Sequence, residues 1–254
     1  MGKIRRWTDM TWREIEERRG DMIAVIPSGS VEQHGPHLPT GTDLYIAEGI
    51  ADRLAEMCNP PFRIDRLAML PPIFHTYAKE SDAWPGTLNL DGSTLTLLVR
   101  DVVRGLFRNG VKNVVIMNGH MESYAFVMEG VQLAVEGREG VRAVSVNWWD
   151  FISDGLIDDL FGDKWPGWVA EHAALTETSI MTYLYPELVK KELADAGFIP
   201  EPQPYKVFPQ RREQLPASGM FASAEGACAQ TGKVLVEEAV KKIASVIAEN
   251  FPED

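Results

Sequence analysis

Short, continuously apolar runs alternate along this chain with longer stretches in which apolar residues recur every third or fourth position. Met22 to Pro27, Ile64 to Leu70, Asn113 to Met117 and Val141 to Val146 are runs of the first kind, and their length and composition predict strands buried on both faces. The intervening patterns are helical. Asp43 to Cys58 places Ile46, Ile50 and Leu54 on one face, and a segment opened by Asp91-Gly92-Ser93-Thr94 runs through Phe107 and stops at Gly110. Pro71-Pro72 closes the second strand, and Ser123 to Val135 follows the third. Strand and helix alternate, which predicts an α/β fold with a parallel sheet covered by helices.

The second half is less regular. Trp148 to Gly167 is aromatic and acidic, Ala173 to Leu184 reads as a helix, and Gly197 to Pro216 reads as a proline-rich loop or extended arm. Glu225 to Asn250 predicts a final helix with Val236, Val240, Ile243 and Ile247 on its apolar side. With 254 residues, 45% of them apolar, the chain can bury one large core, and a single domain over residues 1–254 is expected.

The formal net charge of −12 argues against a nucleic-acid or anionic-membrane partner, because phosphate binding needs clustered Lys and Arg. Arg5-Arg6, Arg18-Arg19 and Arg211-Arg212 are isolated doublets and read as solvated surface. Cys58 and Cys228 lie in no CxxC pair and read as inert. With no apolar run of signal-peptide or membrane-spanning type, they point to a reducing, cytoplasmic location.

Two clusters carry candidate chemistry: Glu32-Gln33-His34 with Asp43 downstream, and His120-Met121-Glu122 within Asn118 to Ser123. Each follows a predicted strand. Side chains two apart on extended backbone point the same way, so Glu32 pairs with His34 and His120 with Glu122. Ligands of open parallel sheets bind beyond the carboxyl ends of the strands, where both clusters fall. Five ligands exceed the three protein groups usual for one catalytic zinc and suit two divalent ions sharing a carboxylate. Imidazole mixed with carboxylate favours zinc or manganese over calcium or magnesium.

Each residue also has an ordinary reading. Asp43 at a helix start is a cap, and His120 beside Gly119 is a turn residue. The distribution of histidine changes the balance: of five, His34, His37 and His120 lie in these clusters, His172 lies in a third patch, and His75 stands apart. His37, at odd spacing from His34, reads as structural. The third patch, Trp165 to His172 followed by Glu177-Thr178-Ser179, is either a turn and helix start or the place of a proton carrier, His172, oriented by Glu171 or Glu177. Trp149 and Trp168 are core anchors or a shield over a small flat substrate. Met121 and Ser123, flanking Glu122, join them as candidate substrate contacts.

Gly29-Ser30-Val31-Glu32-Gln33-His34-Gly35-Pro36-His37-Leu38-Pro39 through Asp43 resembles the signature of the creatininase family. Trp84-Pro85-Gly86-Thr87, Asn118 to Glu122 and Glu171 to Ser179 are similar to three further family motifs, in the family's order. The resemblance implies a three-layer α/β/α sandwich, a homohexamer and two divalent ions, Zn²⁺ or Mn²⁺. It implies one ion on Glu32 and His120 and the other on His34 and Glu122, with Asp43 bridging. It also implies a proton-transfer role for His172 and an aromatic gate at Trp149 and Trp168. The activity implied is opening of a small cyclic amide of the creatinine type by a metal-bridging hydroxide, with Glu122, Glu171 and Glu177 as further catalytic candidates. The alternatives are ring opening of an inositol-derived cyclic ketone, of 3-dehydro-scyllo-inosose type, or a non-catalytic metal-binding member. Two departures bear on substrate: residues 74–83 do not resemble the Ser- and Gly-rich loop of creatininase, and Ala173-Ala174 stand where glycines usually follow the histidine.

Overall fold

A computed structural model describes residues 4–57, 60–195 and 212–253, together with Tyr205 and Phe208. Five strands form one sheet: β1 (Arg5–Arg6), β2 (Ile23–Ser28), β3 (Leu67–Met69), β4 (Asn113–Asn118) and β5 (Arg142–Asn147). They lie in the order β1-β3-β2-β4-β5 and every pairing is parallel. Seven α-helices occur among the described residues: α1 (Trp12–Arg18), α2 (Thr42–Leu54), α3 (Gly92–Arg108), α4 (Tyr124–Val135), α5 (Asp154–Phe161), α6 (Leu175–Leu184) and α7 (Ala229–Asn250).

Alternation along the strands divides the apolar residues between two cores. Ile23, Val25, Leu67, Met69, Val115 and Met117 pack with Ile46 and Ile50 of α2, Ile180 of α6 and Leu235 and Ile243 of α7. Ala24, Ile26, Ala68, Val114 and Ile116 pack on the opposite face with Leu95, Val99 and Val103 of α3 and Val127 and Val131 of α4. Helices on both faces of a parallel sheet make the three-layer α/β/α sandwich. The apolar runs lack polar alternation because both faces of the sheet are covered.

Several predicted boundaries move. Residues 64–66 form a 3-10 turn, so the strand begins at Leu67. The helix expected over 43–58 ends at Leu54, and the final helix begins at Ala229 rather than Glu225. The helix expected from Ala173 begins at Leu175, because Ala173 has φ +56° and its amide donates to Glu177 Oε2 instead of entering a helical ladder. Cys58, Arg211 and most of the expected 197–216 arm lie outside the described residues. Helix α1 was not anticipated, although Thr11 and Glu14 form a reciprocal capping box at its start.

The chain leaves β2 for β3 through α2 on one face and reaches β4 through α3 on the other. The carboxyl ends of β2 and β4 therefore border a crevice, the place where such sheets bind ligands. Their register, Ile23 opposite Asn113 to Ser28 opposite Asn118, finishes both strands at the same level. Gly119 N then donates to Ser28 O at 2.7 Å, so the two functional loops start side by side.

Candidate metal centre

Asp43, in the first turn of α2, reaches across this crevice and is buried. Its Oδ1 lies 3.0 Å from His34 Nε2 and its Oδ2 lies 3.0 Å from His120 Nδ1. One carboxylate thus serves two imidazoles on different loops. Ser30 holds Asp43 Oδ2 through its hydroxyl, and Asn118 braces the second loop by donating to His120 O at 2.9 Å and Asn147 Oδ1 at 2.9 Å.

The other nitrogen of each imidazole is committed to a backbone carbonyl. His34 Nδ1 donates to Glu32 O at 3.2 Å, and His120 Nε2 donates to Tyr77 O at 3.0 Å. This leaves His34 Nε2 and His120 Nδ1 facing carboxylates, the arrangement by which proteins orient histidine ligands. Around them, two sets of donor atoms share Asp43, namely Glu32, Asp43 and His120, and His34, Asp43 and Glu177; a third set, Glu32, His34 and His172, does not include it. Glu32 Oε1 is 2.9 Å from His120 Nδ1 yet has no hydrogen-bond partner of good geometry among the described residues.

Oxygen and nitrogen lone pairs facing one another underground require a cation, either protons on the imidazoles or a metal. The protonated alternative appears in the titration behaviour. Burial disfavours imidazolium at both positions, but Asp43 with Glu177 holds His34 well above its ordinary pKa, and Glu32 with Asp43 does so for His120. Asp43 is held well below the carboxylate range, its burial outweighed by the two histidines, and Glu32 is lowered by His120 against its own burial. The cavity lined by Glu32, Asp43 and His120 has a volume of about 340 Å³. Glu32, Asp43, Glu80, Glu122, Glu171 and Glu177 contribute to its wall, and among the described residues no Lys or Arg does. Carboxylate and imidazole without a basic neighbour is a donor set that fits divalent transition ions.

The structure brings four of the five expected ligands, Glu32, His34, Asp43 and His120, into these two sets. Glu122 lines the same cavity but belongs to neither. One of its oxygens accepts from Glu80 N at 3.2 Å, and burial pushes its pKa up to about 7. The second set is completed by Glu177, which the sequence places near His172 as a candidate orienting group. Glu177 comes from α6, and its position depends on the left-handed Ala173, a feature invisible to periodicity.

His172 also lines the cavity, its ring centroid 4.5 Å from that of His34, and burial with the nearby His34 charge lowers its pKa. Among the described residues it makes no hydrogen bond to Glu171 or Glu177. His172 Nε2 lies 2.9 Å from Gln33 O and 2.9 Å from Gln33 Nε2, a partner that sequence reading left without a role. Glu171 instead accepts from Thr176 N, and burial with the Glu177 charge pushes its pKa up to about 8. Trp149 and Trp168 line the cavity with Trp148 and Phe221, Trp148 meeting Trp168 edge-on at 5.9 Å. Met121 lies at the rim. Ser123 is buried away from it, its hydroxyl donating to His120 O at 3.1 Å. His37 is structural, with Nε2 2.8 Å from Thr178 Oγ1.

Residues 8–247 match the creatininase family, described as creatinine amidohydrolase. The chain is 36% identical over 258 residues to the creatinine amidohydrolase of Pseudomonas putida, covering 96% of each. This chain belongs to the creatininase family of amide hydrolases. A second relative, the 3-dehydro-scyllo-inosose hydrolase of Thermotoga maritima, is 28% identical, with 76% of this chain and 61% of that protein covered. Solved creatininases superpose over nearly all of both chains. A manganese form gives a TM-score of 0.90 at 32% identity, covering 99% of this chain and 100% of the other. A glutamate-to-glutamine mutant of Zn-Zn type gives 0.89 at 34%, covering 100% of each. The same kind of mutant complexed with creatine gives 0.90 at 34%, covering 99% and 100%. These metal forms and the donor sets described above support a divalent metal cofactor. No helix among the described residues is long and apolar enough to cross a membrane.

Proposed function

We propose that this chain opens a small cyclic amide of the creatinine type by hydrolysis at a two-ion centre. The observation that carries the reading is Asp43, whose two oxygens each face a different three-residue donor set at one end of a cavity walled by tryptophan. Glu32, Asp43 and His120 would hold one ion, and His34, Asp43 and Glu177 the other. Bound there, divalent ions supply Lewis-acid polarisation of a carbonyl and lower the pKa of water towards neutrality.

The remaining residues handle orientation and protons. Trp148, Trp149, Trp168 and Phe221 form apolar walls suited to a flat ring, and about 340 Å³ admits a compact substrate. Glu122, outside both donor sets and fixed by Glu80 N, is placed to take a proton from the attacking water. Water oxygen then bonds to the ring carbonyl carbon, the carbon-nitrogen bond breaks, and His172 delivers a proton to the departing nitrogen. Homohexameric assembly belongs to this same reading, by likeness to the family.

One observation favours a second substrate. Glu80 and Ser81 line the cavity, and they come from the segment that departs from the creatininase loop, so ring opening of an inositol-derived cyclic ketone stands as the alternative. The test is a side-by-side assay of creatinine, the cyclic ketone and short peptides on metal-reconstituted protein. Creatinine turnover lost on chelation and restored by Mn²⁺ or Zn²⁺ supports the proposal. Turnover of the ketone alone transfers it to the alternative, and retained metal with no turnover of any substrate identifies a binding protein.

A further inference from the structure

Gln33 lies between two of the proposed ligands in sequence, is 6% exposed, and makes more connections than any role assigned so far requires. Its side-chain Oε1 accepts from Gly35 N at 2.9 Å, and its Nε2 donates to Gly219 O at 3.0 Å. Ser81 Oγ lies 3.5 Å from the same nitrogen, and Gln33 N donates to Thr87 Oγ1 at 3.1 Å. One residue therefore ties together the chain segments at 81–87, 172 and 219–221, which contribute Ser81, His172 and Phe221 to the cavity wall. Gly219 has φ +81°, and a Cβ there would lie 1.9 Å from Gln33 Oε1, so the segment passes against the amide with no room for a side chain.

The contact with His172 is two-sided. Gln33 O offers an acceptor and Gln33 Nε2 a donor, each 2.9 Å from His172 Nε2. A ring nitrogen bearing a proton bonds the carbonyl, and one lacking it accepts from the amide. His172 Nδ1, by contrast, has no partner among the described residues, which leaves it as the nitrogen open to the cavity.

We propose that Gln33 is a positioning residue: its carbonyl and carboxamide anchor His172 at Nε2, so that Nδ1 is the atom presented to substrate. This rests on the reading of His172 as the proton carrier. Gln33 itself touches neither substrate nor metal and acts through the imidazole and the segment at Gly219.

The test is Gln33→Met, which keeps length and loses the amide, studied as metal-loaded protein alone and combined with His172→Ala. The expected result is a fall in kcat of about 10- to 100-fold with KM nearly unchanged, the loss expected from misplacing a catalytic group by about 1 Å. Metal content should match wild type. In the His172→Ala background the substitution should cost no further rate, because its effect passes through that ring. A crystal structure of zinc-loaded Gln33→Met should show the His172 ring displaced or in alternative rotamers, a readout that needs no substrate. If Gln33→Met fails to fold, Gly219→Ala, which pushes on the amide from the other side, should displace the same ring. An imidazole unmoved in the variant structure, or an equal rate loss with and without His172, overturns the proposal. A His172→Ala protein with full activity instead defeats the proton-carrier reading, while the crystal structure still decides whether Gln33 holds the ring.

Discussion

Gly119→Ala probes how the sheet and α2 are fitted together to form the donor sets. Gly119 separates β4 from His120, and an added Cβ would lie 2.2 Å from Asp43 O, 3.0 Å from Asp43 C and 3.3 Å from the Cβ of Ala47. A carbon-oxygen contact settles near 3.3 Å, so the loop or the first turn of α2 must retreat by about 1 Å. The neighbour is backbone, not a flexible side-chain end, so little of the movement can be absorbed locally. Overpacking of this kind costs about 1–3 kcal/mol of stability. Metal-ligand distances tolerate only about 0.2 Å, so moving Asp43 disturbs both donor sets at once. The substitution should leave far-ultraviolet circular dichroism unchanged and lower the melting temperature modestly. It should also reduce metal retained after dialysis, with turnover falling by about 100-fold or more. Wild-type metal content and activity in a folded Gly119→Ala protein would refute the claim that this approach distance sets Asp43 in place.

Glu177→Gln should lose metal affinity by more than the 10- to 100-fold typical of supporting residues, whereas Glu122→Gln should retain metal and lose turnover; metal analysis by mass spectrometry separates them. His172→Ala should keep its metal and lose about 10²- to 10⁴-fold in kcat, and an unchanged rate would remove it from the mechanism. Burial, with the charge of His34, pushes the His37 pKa down to about 4, against about 6.5 in the unfolded chain. Between those values the unfolded chain takes up a proton that the native ring resists. The contribution is therefore intact above pH 6.5 and declines by up to about 3 kcal/mol as pH falls to 4. Glu122 and Glu171, with raised pKa values, oppose this trend, so urea denaturation should compare wild type with His37→Gln, and an advantage that does not shrink with falling pH would contradict the assignment.

The parallel sheet was legible because its strands are apolar on both faces and its helices carry regular stripes; α3 and α4 differ from their expected limits by one residue at each end or less. Helix α1 escaped because seven residues carry too little periodicity, although Thr11 and Glu14 hold a readable signal. Strand β1 escaped because two arginines at a sheet edge have no apolar pattern. Glu32, His34 and His120 could be read from strand-end placement, and Asp43 from its place just downstream at the start of a helix. Glu122 was legible as a residue of the cavity but not as a member of either Asp43-centred set, because the rule that alternate side chains share a direction holds only while the chain stays extended. After Asn118 the backbone bends into the turn preceding α4, so the extended-chain rule no longer applies to His120 and Glu122, although both line the cavity. Glu177 needed a long-range approach of α6 to α2 that no local spacing encodes. Gln33 stayed silent because an amide inside a metal-ligand motif carries no charge or metal chemistry of its own.

The central claim is the paired donor set joined by Asp43, and anomalous diffraction at the zinc and manganese edges from metal-reconstituted crystals tests it most directly. The account predicts two peaks, one about 2.0–2.2 Å from atoms of Glu32, Asp43 and His120 and the other at similar distances from His34, Asp43 and Glu177, with Glu122 bound to neither. A single peak, a peak ligated by Glu122, or no anomalous density beside Asp43 would contradict it.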